Sequence, residues 1–191
     1  MPIDFDLEAL RKKHNIVNYL ETGLYDPRQE VSCRKALTSG FKKVYSIEIR
    51  QDWVDIGQDV FDYFIHTNRL RLICDDSANL MKHLHKTNDF QEKTLFFLDA
   101  HVDNSDIQKF RKRCPVIEEL HAISSLDRKD HVICVDDMRI IREMYPWGES
   151  SYQGINFEEE IKKIILSINP NYKFEYLDGH VKGDILYAYV E

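Results

Sequence analysis

Positive charge is in short supply in this chain: 26 Lys and Arg face 33 Asp and Glu, a formal charge of -7. That balance argues against a non-specific grip on nucleic acid or on an anionic membrane, leaving room only for a local basic patch. Long apolar runs are missing too. None approaches the ~20 residues a membrane span needs, and Met1-Pro2-Ile3-Asp4 does not open a signal peptide, so a cytoplasmic protein is expected. Cys33, Cys74, Cys114 and Cys134 form no CxxC pair, and Cys74 and Cys134 fall in apolar runs; buried free thiols in a reducing compartment are expected. Neither GxxxxGK[ST] nor GxGxxG occurs, which excludes a P-loop and a dinucleotide fingerprint. Repeats, low-complexity segments and internal linkers are absent as well. With 191 residues, 43% of them hydrophobic, residues 1–191 fit one domain with a sizeable core.

What is present centres on Thr94-Leu95-Phe96-Phe97-Leu98-Asp99-Ala100-His101. Leu95 to Leu98 is an unbroken apolar run, suited to a strand covered on both faces, and it stops at Asp99, with His101 and Asp103 beyond. His131-Val132-Ile133-Cys134-Val135-Asp136-Asp137 repeats the design. In an open α/β sheet, ligands bind outside the carboxyl ends of the parallel strands. Two such strands side by side would gather Asp99, His101, Asp136 and Asp137 around one crevice, the candidate active site.

Along the chain, strand and helix alternate. An amphipathic helix is expected from Phe5 to Asn15 and a strand from Ile16 to Leu20, followed by the turn Glu21-Thr22-Gly23. Asp26 as N-cap, Pro27 at the first helical position and Gln29 three residues after the cap predict a helix running through Val31, Ala36 and Leu37 to Gly40. Strands follow at Lys43–Ile47, ending at Glu48, and at Leu70–Cys74, ending at Asp75-Asp76-Ser77. A helix over Asp52–Thr67 lies between them, and Ser77 is placed as the cap of a helix holding Leu80, Met81 and Leu84. Beyond Asp99, a helical region from Asp106 to Leu126 should break or kink at Pro115. Met138 to Gly154 reads as irregular, with Tyr145 to Tyr152 either a substrate lid or a surface loop. Asn156 should cap a helix from Phe157 to Ile168, and Tyr172–Leu177 and Asp184–Val190 form a terminal hairpin. The expected fold is α/β: a mostly parallel seven-stranded Rossmann-like sheet, the first strand near its centre, the hairpin at one edge and helices on both faces.

Acids end four of these strands: Glu21, Glu48, Asp75/Asp76 and Asp99. Carboxylates suit hydroxyls, amino groups, cations or metal ions, not phosphates. The simplest role of such acids is to cap the next helix, the reading preferred for Asp75, Asp103 and Asp106. His83 and His85 point to different faces of a helix and read as solvated.

The pattern from Ile16 to Val190 resembles the class I S-adenosylmethionine-dependent methyltransferases. Glu21-Thr22-Gly23 is similar to the family's first motif, Glu48 to the acid that binds the ribose hydroxyls, and Asp76-Ser77 to the turn that meets the adenine amino group. Phe97-Leu98-Asp99-Ala100-His101, Cys114-Pro115-Val116-Ile117-Glu118-Glu119-Leu120 and Val135-Asp136-Asp137 resemble a subgroup of small methyltransferase-like proteins marked by LDAH and DD motifs. The resemblance implies S-adenosylmethionine bound by Glu21, Thr22, Gly23, Tyr25, Glu48, Asp76, Ser77 and Asp99. One departure stands out: Leu24-Tyr25-Asp26-Pro27-Arg28 follows Gly23 where the family carries further glycines, which restricts how closely backbone can approach the cofactor.

The acids of the fourth and fifth strands also resemble the metal site of divalent-cation-dependent O-methyltransferases. That likeness implies Mg²⁺ or Mn²⁺ on Asp99, Asp136 and Asp137, with His101 and Asp99 in catalytic roles and His101 as base. The expected activity is O-methylation of a small, hydroxylated, sugar-like substrate. A catalytically silent binder of the same fold and a metal-dependent hydrolase using Asp99, His101 and Asp103 are the alternatives.

Overall fold

The computed structural model describes residues 3–29, 31–101, 114–143 and 156–191. Its frame is a seven-stranded sheet: β1 (Asn18–Thr22), β2 (Lys43–Glu48), β3 (Leu70–Cys74), β4 (Thr94–Leu98), β5 (Val132–Val135), β6 (Lys173–Leu177) and β7 (Ile185–Tyr189). The order is β3-β2-β1-β4-β5-β7-β6. Strands β1 to β5 pair in parallel, while β7 runs antiparallel to both β5 and β6. The expected central first strand and the terminal hairpin at one edge are both found.

Covered strands need apolar residues on both faces, and β1, β4 and β5 are buried throughout. Alternation divides their side chains between two cores. Leu20, Phe96, Leu98, Ile133 and Val135 pack on one face; Tyr19, Leu95, Phe97, Val132 and Cys134 on the other. The second face is covered by α1 (Leu7–Lys13), α2 (Ser32–Thr38), α3 (Gln51–Val60) and α4 (Asp62–His66). The first is covered by α5 (Leu80–Leu84), α6 (Val116–Ser124), α7 (Met138–Glu143) and α8 (Phe157–Ile168). In α8 the buried residues Ile161, Ile164, Ile165 and Ile168 keep helical spacing, and Asn156 caps it as expected by accepting Glu159 N at 3.3 Å.

Four boundaries depart from expectation. Asp26 does not start a helix, because Arg28 takes its carboxylate through Nε at 2.8 Å and Nη2 at 2.7 Å; α2 begins at Ser32. Strand β1 extends past Leu20 to include Glu21 and Thr22, which pair with β2 and β4. The Asp52–Thr67 helix is two helices that meet at the buried Phe61. Met138 to Glu143, expected to be irregular, is helix α7, with Met138 and Ile141 in the core. Helix α6 begins directly after Pro115. The residues expected to be helical before Pro115, Asp103 and the Tyr145–Tyr152 segment lie outside the described residues.

Candidate functional site

The carboxyl ends of β4 and β5 open into a narrow crevice walled by residues of α6 and α7. Register creates it. Leu98 pairs with both Thr22 and Val135, so the chain leaves all three strands at one level. The backbone stays tied there, Asp99 N donating to Thr22 O at 3.2 Å and Asp136 N to Leu98 O at 3.0 Å. Asp99, His101, Asp136 and Asp137 all line the crevice, as expected from the sequence.

Asp137 is the hinge of the group. Its φ of 59° is left-handed, a conformation Asp tolerates. Its carbonyl accepts Ile140 N at 2.8 Å and Ile141 N at 3.1 Å, starting α7. Its carboxylate sits between His101 Nδ1, 3.1 Å from Oδ2, and Arg139 Nη1, 2.6 Å from Oδ1. Arg139 continues to Asp184, pairing with its carboxylate and donating its backbone N–H at 2.8 Å. Asp136 Oδ1 accepts Asp137 N at 2.7 Å. Sequence reading missed Asp184, which precedes β7, since no local spacing joins it to Arg139.

Carboxylates outnumber cations here, and the acids respond. Burial first, then Asp136 and Asp137, pushes the Asp99 carboxyl well above its usual range. Burial and the Asp137 charge push Asp136 up to about 7. Relief by a bound cation has a geometric basis: the ligand atoms of Asp99, His101 and Asp137 lie within 4.8 Å of one another, as do those of Asp136, Asp137 and Asp184. Among the described residues, the expected trio of Asp99, Asp136 and Asp137 is thus divided between two groups that share Asp137.

The remaining expected residues lie around β1, β2 and β3. Gly23 has φ 86°, and a Cβ there would stand 2.8 Å from Asp99 O; the close approach at this glycine brings β1 against the β4 loop. Tyr25 adopts φ 61° without being glycine, its N–H donating to Glu48 Oε2 at 3.1 Å and its ring resting 4.9 Å from Trp53. Glu48 also accepts Arg50 N at 2.9 Å, one donor on each oxygen, which leaves acceptor capacity on both. Glu21 turns to the α2 side, where Ser32, Ser46 and Tyr19 hydrogen-bond its carboxyl; burial nevertheless pushes it up to about 7.

Thr22 faces the opposite side, beside Ser77 and Glu119. Asp76, not Ser77, caps the turn after β3, accepting Ala78 N at 2.9 Å. Asp75 binds Lys82, Asn79 and His83 Nε2, the last at 2.7 Å, so His83 is paired and not solvated. Glu119 is a second residue that sequence reading passed over. It is fully buried, and burial pushes it up to about 7.

No protein-family model matches the sequence, and no curated protein matches it. Solved structures do match the fold. An O-methyltransferase from Bacillus cereus in complex with SAH is 14% identical, with a TM-score of 0.62 over 97% of this chain and 79% of that one. The SAH-bound methyltransferase PaMTH1 from Podospora anserina is 16% identical, TM-score 0.57, over 96% and 76% of the two chains. The O-methyltransferase TomG from Streptomyces achromogenes, in complex with SAM, is 13% identical, TM-score 0.57, over 96% and 77%. The fold is that of the class I methyltransferases. The crevice lies at the carboxyl ends of β4 and β5, one strand away from the strand-order reversal between β1 and β4 where doubly wound sheets bind ligands. Among the described residues no helix is long and apolar enough to cross a membrane.

Proposed function

We propose that this chain transfers the methyl group of S-adenosylmethionine to a hydroxyl of a small polyhydroxylated substrate, aided by a divalent cation. The observation that carries this reading is the convergence of Asp99, His101, Asp136 and Asp137 on one crevice of a methyltransferase fold.

The residues present fit both groups. Glu48 keeps acceptor capacity for a ribose diol, and Thr22, Gly23, Tyr25 and Ser77 border the path from β1 to the β3 turn. Asp99, His101 and Asp137 offer two oxygens and a nitrogen, a mixed set that suits Mn²⁺ better than Mg²⁺. A cation held there supplies Lewis acidity, lowering the pKa of a substrate hydroxyl. His101 also has the geometry of an oriented base. Its Nδ1 lies 3.1 Å from Asp137 Oδ2, a charge contact that would hold the ring against the acid as the imidazole takes up a proton. The two roles of His101 exclude one another at Nδ1. Ligation replaces the Asp137 contact, so the cation requirement decides which one operates.

The silent-binder reading has one observation in its favour. Arg139 already supplies Asp137 and Asp184 with a cation, as a structural acid cluster requires. Methyl transfer from labelled S-adenosylmethionine to a panel of polyols and catechols, with and without Mn²⁺ or Mg²⁺, separates the readings. Cation-stimulated labelling of a hydroxyl supports the enzyme. Tight binding of the donor with no transfer to any acceptor supports the silent binder.

A further inference from the structure

Strand β6 closes one end of the sheet, and among the described residues no other strand pairs with its outer side. It runs against β7 without a bulge from Lys173 to Leu177 and contains no proline, so the devices that blunt an edge by shape are missing. Alternate residues therefore turn N–H and C=O groups outward, a row that another strand can satisfy. Side chains alternate as well. Phe174 packs against the core on the α8 side and Leu177 against the core on the α1 side. Lys173 and Glu175 share the side of Leu177, and Tyr176 shares that of Phe174. Lys173, Glu175 and Tyr176 are all exposed.

Charges on an edge strand usually keep other strands away. Here two charges of opposite sign stand two residues apart on one face, and a second copy of the same strand meets them differently. In a two-fold symmetric pair, residue i lies opposite residue j of the partner, and j opposite i. An antiparallel pair centred on Lys173 or on Glu175 sets that residue against its own copy, and like charges directly opposite are destabilising. Centred on Phe174, the pair sets Lys173 against the partner's Glu175 and Glu175 against the partner's Lys173. Phe174 then meets its own copy on the other face. Among registers centred on a residue of β6, this is the only one that opposes unlike charges. The ties that hold these side chains within the chain leave them room to turn. Lys173 Nζ lies 2.6 Å from Glu191 with both side chains more than half exposed, a weak pair, and Glu175 accepts the Tyr189 hydroxyl at 2.5 Å through one oxygen. Strand β3, at the opposite end of the sheet, carries Arg71 as its only charge and offers no such match. We propose that two copies of this chain associate through β6, antiparallel about Phe174, and join their sheets into one.

The test is sedimentation equilibrium of the full chain across the micromolar range, with melting curves to confirm that each variant folds. The wild type is expected to form a dimer in equilibrium with monomer. Lys173→Glu and Glu175→Lys each turn both cross-strand pairs repulsive and should raise the dimer Kd by about tenfold or more. Lys173→Glu/Glu175→Lys, in which the two charges trade places, should recover the wild-type association. An equimolar mixture of the two single variants should recover it too, because each can then pair only with the other. A wild type that stays monomeric throughout would show that these charges keep the edge in solvent, and the proposal falls. A dimer that both single variants leave intact places the interface elsewhere. Loss of the dimer in the single variants without recovery in the mixture or the double variant contradicts the register about Phe174.

Discussion

Arg139 Nη1 lies 2.6 Å from Asp137 Oδ1, and the same nitrogen pairs with Asp184. One guanidinium therefore holds two buried carboxylates that a metal ion would otherwise claim. Removing it should expose their repulsion. Arg139→Gln is expected to lower metal-free stability by about 1–3 kcal/mol, because it leaves buried acids uncompensated. Mn²⁺ should then raise the melting temperature of the variant by more than that of the wild type. Equal shifts in the two proteins would place the cation away from Asp137 and Asp184. Asp136→Asn and Asp99→Asn, scanned alongside, are expected to shrink the wild-type shift.

His101 Nδ1 lies 3.1 Å from Asp137 Oδ2, and the proposed function makes this imidazole the base. His101→Ala should cut methyl transfer by about 10²–10⁴, with the affinity for S-adenosylhomocysteine little changed. Steady-state rates read beside a binding titration check this. A variant that turns over at the wild-type rate would remove His101 from the chemistry.

Glu48 is buried with one backbone donor on each oxygen. Glu48→Ala is expected to weaken S-adenosylmethionine binding by about 1–3 kcal/mol, the range for hydrogen bonds to a charged group. Tyr25 N and Arg50 N also lose their acceptor, so a melting curve must accompany the titration. Unchanged affinity in a folded variant would place the ribose elsewhere.

Glu21 carries a pH prediction. Its carboxyl rises from 4.5 to about 7 in the folded chain, chiefly through burial. A group that binds its proton more tightly when folded favours folding below its unfolded pKa, and that contribution is lost as pH rises through the folded one. Glu21 should therefore cost stability as pH climbs from 4.5 to about 7, by about 3 kcal/mol at most. Glu21→Gln keeps the Ser32 and Ser46 contacts and should flatten the fall in melting temperature across that window. Parallel pH profiles for the two proteins would contradict this.

The sheet was legible because Leu95 to Leu98 and Val132 to Val135 are continuous apolar runs, and Asp99 and Asp136 mark where they stop. Register then does the rest, since Leu98 against Val135 places the following acids side by side. Capping was less legible. Asp26-Pro27 carries the pattern of a helix start, yet Arg28, two residues on, competes for the carboxylate and closes a local turn. A similar one-residue ambiguity gave Ser77 the capping role that Asp76 performs. Glu119 was findable: an acid at the i+3 position of a buried helical stripe that starts at Val116 is a signal in itself. Arg139–Asp184 was not, because nothing in the chain between them encodes a contact across 45 residues.

The measurement that tests the account most directly is calorimetric titration of the full chain with S-adenosylhomocysteine, with and without Mn²⁺. One-site binding that Glu48→Ala weakens is the predicted result, with little dependence on the cation, because the metal serves the substrate's oxygen and not the donor. Absence of binding by a folded wild type, in both the presence and absence of Mn²⁺, would contradict the claim that this crevice holds a methyl donor.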